Sequence, residues 1–150
     1  MKKILLYLWQ LPQNLLALFY RMIFRTGEPV GVVGTGVKIY NWKLQGVGVS
    51  LGNSVFVSYR NSLSTIRHEY GHTRQSVVLG PLYLVLGVIG ALWFILYKLF
   101  LKKLGVDYKW FFMESMADRL GANAEVWFHN HIPITSVRAN PNIFKYHYYI

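Results

Sequence analysis

Within the stretch STIRHEYGHTRQS, residues 64–76, His68, Glu69 and His72 stand in the order H-E-x-x-H. Residues four apart on a helix share a face, so the two imidazoles can offer nitrogen to one ion. The glutamate, one position on from the first histidine, can reach a water on that ion as general base. A catalytic zinc of this type needs a third protein ligand and one open position. The chain has no cysteine, which leaves His129, His131, His147 and the acids as candidates. Glu114 stands out because Asp118 follows four residues later on the same helical face. A ligating carboxylate with a second carboxylate to orient a ligating histidine would complete such a site. The same two acids can instead be solvated, or pair with Lys109 and Arg119.

The two segments together, HEYGH and MESMADRLGA, resemble the gluzincin metallopeptidases, and among them the membrane-embedded HtpX-like and prenyl-protein endopeptidases. Their later motif reads E-x-x-A-D-R-x-G, matched here by Glu114, Ala117, Asp118, Arg119 and Gly121. The resemblance covers residues 62–122. It implies that His68, His72 and Glu114 bind zinc (Zn2+), with Glu69 as catalytic base and Asp118 orienting a zinc-ligating histidine. It also implies a mainly helical, zincin-like α+β domain. By the same analogy, the strand in VSLGNSVFVS would lie beside the active helix and pair with an extended substrate.

The elements that must position these residues are unusual for a soluble domain. Of the 150 residues, 53% are hydrophobic and 15% charged, and sixteen basic residues against six acids give a net charge of +10. Such a balance points to a membrane-associated domain. Lys2, Lys3, Arg21, Arg25, Lys98, Lys102 and Lys103 flank apolar runs, which suits lipid headgroups on the cytoplasmic side. No nucleic-acid-reading motif is present, so no nucleic-acid partner is expected.

One domain, 1–150, is expected by length. Residues 1–25 form an apolar N-terminal anchor in which Pro12 interrupts a continuous helix. Residues 27–60 alternate β-branched and polar residues between glycines, which predicts a small antiparallel β-sheet with a turn at Gly52-Asn53. Residues 62–121 hold the metal-binding helices. The first is capped by Ser62 or Ser64 and runs to about Leu79, before Gly80-Pro81 breaks it. An apolar run, 82–101, is about long enough to cross a membrane as a transmembrane helix. A further helix over about 106–121 carries Glu114. Residues 122–150 are an aromatic, basic tail.

This layout sets a topological condition. A straight helix through residues 73–103 would carry Glu114 roughly 45 Å from the histidines. The apolar run must therefore fold back, either at Gly80-Pro81 and again near Leu104-Gly105, or as a re-entrant hairpin breaking near Gly87 and Gly90.

The expected function is a membrane-associated zinc endopeptidase acting on a peptide or protein substrate, with its active site facing the cytoplasm. His131, His129 and Tyr146 are candidates for stabilising the oxyanion. The other readings are a non-enzymatic membrane protein with a structural metal site, and a basic lipid-binding module.

Overall fold

A computed structural model of the chain describes residues 2–43, 47–58 and 61–128. Two helices open it, α1 (Lys2–Trp9) and α2 (Leu11–Phe24). They are separated at Gln10, and Pro12 falls in the first turn of α2, where its missing N–H costs no helical bond. Four strands follow: β1 (Gly31–Val33), β2 (Val37–Asn41), β3 (Val49–Leu51) and β4 (Ser54–Val57). Then come α3 (Leu63–Leu79), α4 (Leu82–Leu99), α5 (Phe112–Gly121) and β5 (Val126–Phe128).

The five strands form one sheet in the order β3-β4-β2-β1-β5. An α+β architecture was expected, but the sheet is mixed rather than antiparallel. β2 and β4 are parallel, with Ile39 opposite Val55, while the other three pairings are antiparallel. The β3–β4 hairpin turns at Gly52-Asn53, as predicted, but folds inward, so that β4 rather than β3 lies against β2. Strand alternation shows which segments pleat and says nothing of their order. The fifth strand comes from the segment read as a tail; it pairs with β1 through Gly31 opposite Phe128.

Alternation in β2 and β4 divides two layers of core. Val33, Ile39, Val55 and Val57 face α3, where they meet Ile66 and Tyr70. Tyr40 and Phe56 point the other way, joining Trp42 and Ala17 of α2. Period-two alternation allows one strand to serve both layers. β4 is buried along its whole length for this reason.

α3 begins where Ser62 accepts a hydrogen bond from the Thr65 N–H. It ends at Gly80, whose left-handed φ of +53° turns the chain into α4. α4 is the one described helix long and apolar enough to cross a membrane. After it the chain reverses through two 3-10 turns, Leu101–Leu104 and Tyr108–Trp110. The helix expected over about 106–121 is accordingly shorter. Phe111 has extended backbone, and α5 starts only at Phe112. In that conformation the Phe111 ring stacks on Trp93 with centroids 5.9 Å apart.

α5 packs directly on α3 with almost no side chain between them. A Cβ on Gly71 would stand 1.9 Å from the carbonyl oxygen of Ala117, and one on Gly121 would stand 1.8 Å from that of Arg67. Each obstacle is backbone and cannot rotate away. Gly71→Ala and Gly121→Ala should therefore each force the helices apart and destabilise the protein by about 1–3 kcal/mol. Gly87→Ala, on an open face of α4, should be neutral or stabilising by a few tenths of a kcal/mol, since alanine restricts the unfolded chain. Thermal denaturation of the three variants in one detergent measures the contrast.

Candidate metal centre

His68 and His72 lie on consecutive turns of α3, and Glu114 lies in the first turn of α5. The close helix crossing brings the three together. Nε2 of His68 is 3.2 Å from Nε2 of His72 and 3.2 Å from Oε2 of Glu114, and His72 Nε2 is 3.8 Å from the same oxygen. All three ligand atoms fall within 4.8 Å of one another and could hold a metal ion.

What the other ring nitrogens do decides the chemistry. His68 Nδ1–H donates to Asp118 Oδ1 at 2.8 Å. His72 Nδ1–H donates to Gln75 Oε1, also at 2.8 Å. With both Nδ1 atoms engaged as donors, both Nε2 atoms are directed to the common point, where each can ligate once deprotonated. Gln75 is fully buried and its Nε2 donates in turn to the Met113 carbonyl at 2.7 Å. The amide thus ties a ligand on α3 to the backbone beside the ligand on α5. Asp118 is held on its far side by Lys109, whose Nζ is 2.6 Å from Oδ2. That pair is exposed enough to add little stability, but it engages the second carboxylate oxygen and leaves Oδ1 to His68. Asp118 therefore contacts His68 with one oxygen and Lys109 with the other.

Glu69 is buried beside the cluster rather than in it. Ser50 Oγ on β3 lies within hydrogen-bonding distance of its carboxylate Oε2 and 2.7 Å from its carbonyl oxygen. A Cβ on Gly48 would come 2.3 Å from Oε1, so only glycine lets the carboxylate rest against the chain leading into β3. β3 is the terminal strand of the sheet, so Glu69 stands between a sheet edge and the three ligands.

The electrostatics are those of clustered opposite charge. Burial opposes a charge on His68, but hydrogen bonds to Glu114 and Asp118 outweigh it and raise its pKa to about 9. His72 is raised as well, burial being overcome by Glu114 and Glu69. Glu114 resists burial through its bonds from His68 and His72 and falls to about 2. Tyr108, in the turn before α5, is pushed upward by burial and by the Glu114 carboxylate, to which it hydrogen-bonds.

Of the residues singled out in the sequence, His68, His72, Glu114 and Asp118 are joined and Glu69 adjoins them. His129, His131 and Tyr146 fall outside the described residues. Gln75, Ser50, Gly48 and Tyr108 escaped the sequence reading. Gln75 left one signal, an amide three positions after His72 on the same helical face. Ser50 and Gly48 left none, because their partner is distant in the chain. Comparison with protein-family models, with curated proteins and with solved structures finds no match to this chain.

Two outcomes follow for the metal-free and metal-loaded protein. Raised from its ordinary 6.5 to about 9, His68 contributes stability that is complete below 6.5 and lost as pH rises through 9. Depressed from 4.5 to about 2, Glu114 contributes stability that is complete above 4.5 and lost as pH falls through 2. A cation must displace the His68 proton, so divalent-metal affinity should climb with pH up to about 9 and uptake should release protons. Calorimetric titration in two buffers of different ionisation enthalpy measures that release. Gln75→Leu, which frees His72 Nδ1 and strands the Met113 carbonyl, should weaken metal binding by roughly 10–100-fold, read by competition with a chromogenic chelator.

Proposed function

We propose that the chain is a membrane-associated zinc endopeptidase that hydrolyses a peptide bond in a peptide or protein substrate. The observation that carries this reading is the convergence of His68, His72 and Glu114 from two motifs separated by the whole of α4. Three donors in tetrahedral array about zinc, with bonds near 2.0–2.1 Å, stand about 3.3 Å apart. The separations of 3.2, 3.2 and 3.8 Å fit that spacing. The donor set, two neutral imidazoles and one carboxylate, suits a catalytic zinc with an open fourth position.

His68, His72 and Glu114 would hold the ion, with Asp118 and Gln75 fixing the two ring orientations. When bound, zinc would supply the Lewis acidity that makes water nucleophilic near neutral pH and polarises a carbonyl. The rest belongs to the chain. The Glu69 carboxylate accepts the proton of the attacking water as its oxygen bonds to the carbonyl carbon. It then delivers that proton to the amide nitrogen, so that the C–N bond breaks and a neutral amine leaves. Ser50 holds the carboxylate in place through these transfers. β3, ending the sheet beside Glu69, offers an edge to which an extended substrate can add as a strand. Arg21, Arg25, Lys98, Lys102 and Lys103 flank the apolar helices and favour a cytoplasmic-leaflet location.

Glu69→Gln should keep metal content at wild-type level and lower hydrolysis of a quenched fluorescent peptide library by roughly 10²–10⁴-fold. Glu114→Ala should lose metal and hydrolysis together. Metal analysis beside the peptide assay separates the two. Undiminished cleavage by Glu69→Gln would sink the reading.

A further inference from the structure

α4 has two faces of different kinds. Its outward stripe, Leu82, Val85, Val88, Leu92, Ile95 and Leu99, is apolar and exposed at helical spacing. Its other face is taken up by the returning chain. Trp93 Nε1 donates to the Tyr108 carbonyl at 3.0 Å, and Phe94 and Tyr97 both touch the Tyr108 ring. Phe111 lies against Gly90 and Trp93. The segment that carries Lys109 to Asp118, and Tyr108 to Glu114, is therefore seated on residues 90–97 of the helix.

That seat conflicts with a membrane crossing. α4 is about 27 Å long, with Gly90 at its middle and Tyr97 about 10 Å beyond. If α4 spanned a bilayer, the segment against residues 90–97 would lie at hydrocarbon depth. It contains exposed Asp107 and Lys109, the latter paired with Asp118, and its backbone is a 3-10 turn flanked by extended residues. Charged groups and irregular backbone facing lipid at that depth are strongly disfavoured. The outward stripe has no such neighbour.

A second apolar face adjoins the same corner. Gln10, Gln13 and Asn14 are buried at the start of α2 and Ala17 in its middle, while Leu15, Leu16, Phe19, Met22 and Ile23 are exposed, so the outer face of α2 is apolar. Gln13 donates to the Gly80 carbonyl, Gln10 to Ser76 Oγ at 2.9 Å, and Trp9 to the Val77 carbonyl at 3.1 Å. These bonds fasten the N-terminal helices to the end of α3, two residues before α4 begins. Cations stand at the end of both faces, Arg25 after α2 and Lys98, Lys102 and Lys103 at the end of α4, whereas Arg21 turns inward over the Tyr40 ring.

We propose that α4 lies along the membrane interface instead of crossing it, its outward stripe sunk into one anionic leaflet together with the outer face of α2. The metal centre then stays in water at headgroup level, behind the helix. The lysines cluster at one end of the stripe, Lys98 in the last turn of α4 and Lys102 and Lys103 just past it, where they can meet lipid phosphates. Lysine stems can reach along the apolar surface and keep their ammonium groups among phosphates. This placement goes beyond the peptidase reading and does not depend on it.

The absence of cysteine makes single-cysteine variants clean probes. Ser64→Cys, one turn before His68, and Lys102→Cys, past the end of α4, are made in the full chain. Membrane vesicles of both orientations from an expression host are treated with an impermeant maleimide. Labelling of both cysteines in one orientation and protection of both in the other is expected. Labelling of the two in opposite orientations would overturn the proposal in favour of a crossing. A bimane on Leu92→Cys, in vesicles containing anionic lipid, should be quenched more by shallow than by deep spin-labelled acyl chains. Quenching strongest at the bilayer centre, or none with the chain dimeric in detergent, would also overturn it; the latter would assign the stripe to a second copy. Neither readout involves metal or hydrolysis, so failure of the peptidase reading leaves both interpretable.

Discussion

The close crossing of α3 and α5 is the constraint from which the site follows. Gly71 and Gly121 leave no Cβ between the helices, and Ala117, fully buried, places its carbonyl where Gly71 would otherwise project a side chain. At that separation the glutamate of one helix reaches two histidines of the other. A larger residue at any of these positions would hold the ligands apart whatever their chemistry. Packing that close is limited by backbone, and interiors do not deform continuously to accommodate an extra methyl. The two glycines therefore matter to the cluster as much as the groups that compose it.

Around that crossing the hydrogen bonds run outward in ordered steps. His68 leans on Asp118, which leans on Lys109; His72 leans on Gln75, which leans on the backbone of Met113. The two arms differ in kind. A carboxylate behind one imidazole makes it the more basic ligand, whereas a neutral amide behind the other fixes its tautomer without adding charge. Three carboxylates near two imidazoles keep the cluster close to electrical balance. That accounts for opposite displacements of His68 and Glu114 from their ordinary values. One of the three, Glu69, rests on Ser50 at the β3 edge.

The same chain reverses the usual distribution of polarity at its periphery. Glutamines and an asparagine of α1–α2 point inward and make bonds to α3 and the β3–β4 turn, including Asn14 Oδ1 to the Asn53 N–H at 3.0 Å. Leucines and phenylalanines point out. In water that arrangement exposes apolar surface with no compensating burial. Beside lipid it sets the inward amides of Gln10, Gln13 and Asn14 where each makes at least one hydrogen bond.

Local signals, read along the chain, settled much of this molecule in advance. The Ser62 cap, the break at Gly80, the turn at Gly52 and the apolar helix α4 are each determined within a few residues, because capping, φ and helical spacing are short-range properties. The candidate cluster was legible too, since H-E-x-x-H and the later acidic pair are recognisable as residue types at fixed spacing. The fold-back of α4 could also be required beforehand, because three ligands cannot serve one ion across roughly 45 Å. Tertiary structure alone decided the rest. The parallel pairing of β2 with β4, the strand recruited from residues 126–128, Ser50 against Glu69, and the seat of Tyr108 on the second half of α4 are contacts between distant segments. Each depends on how surfaces pack after the elements form, and no spacing within a single element encodes that.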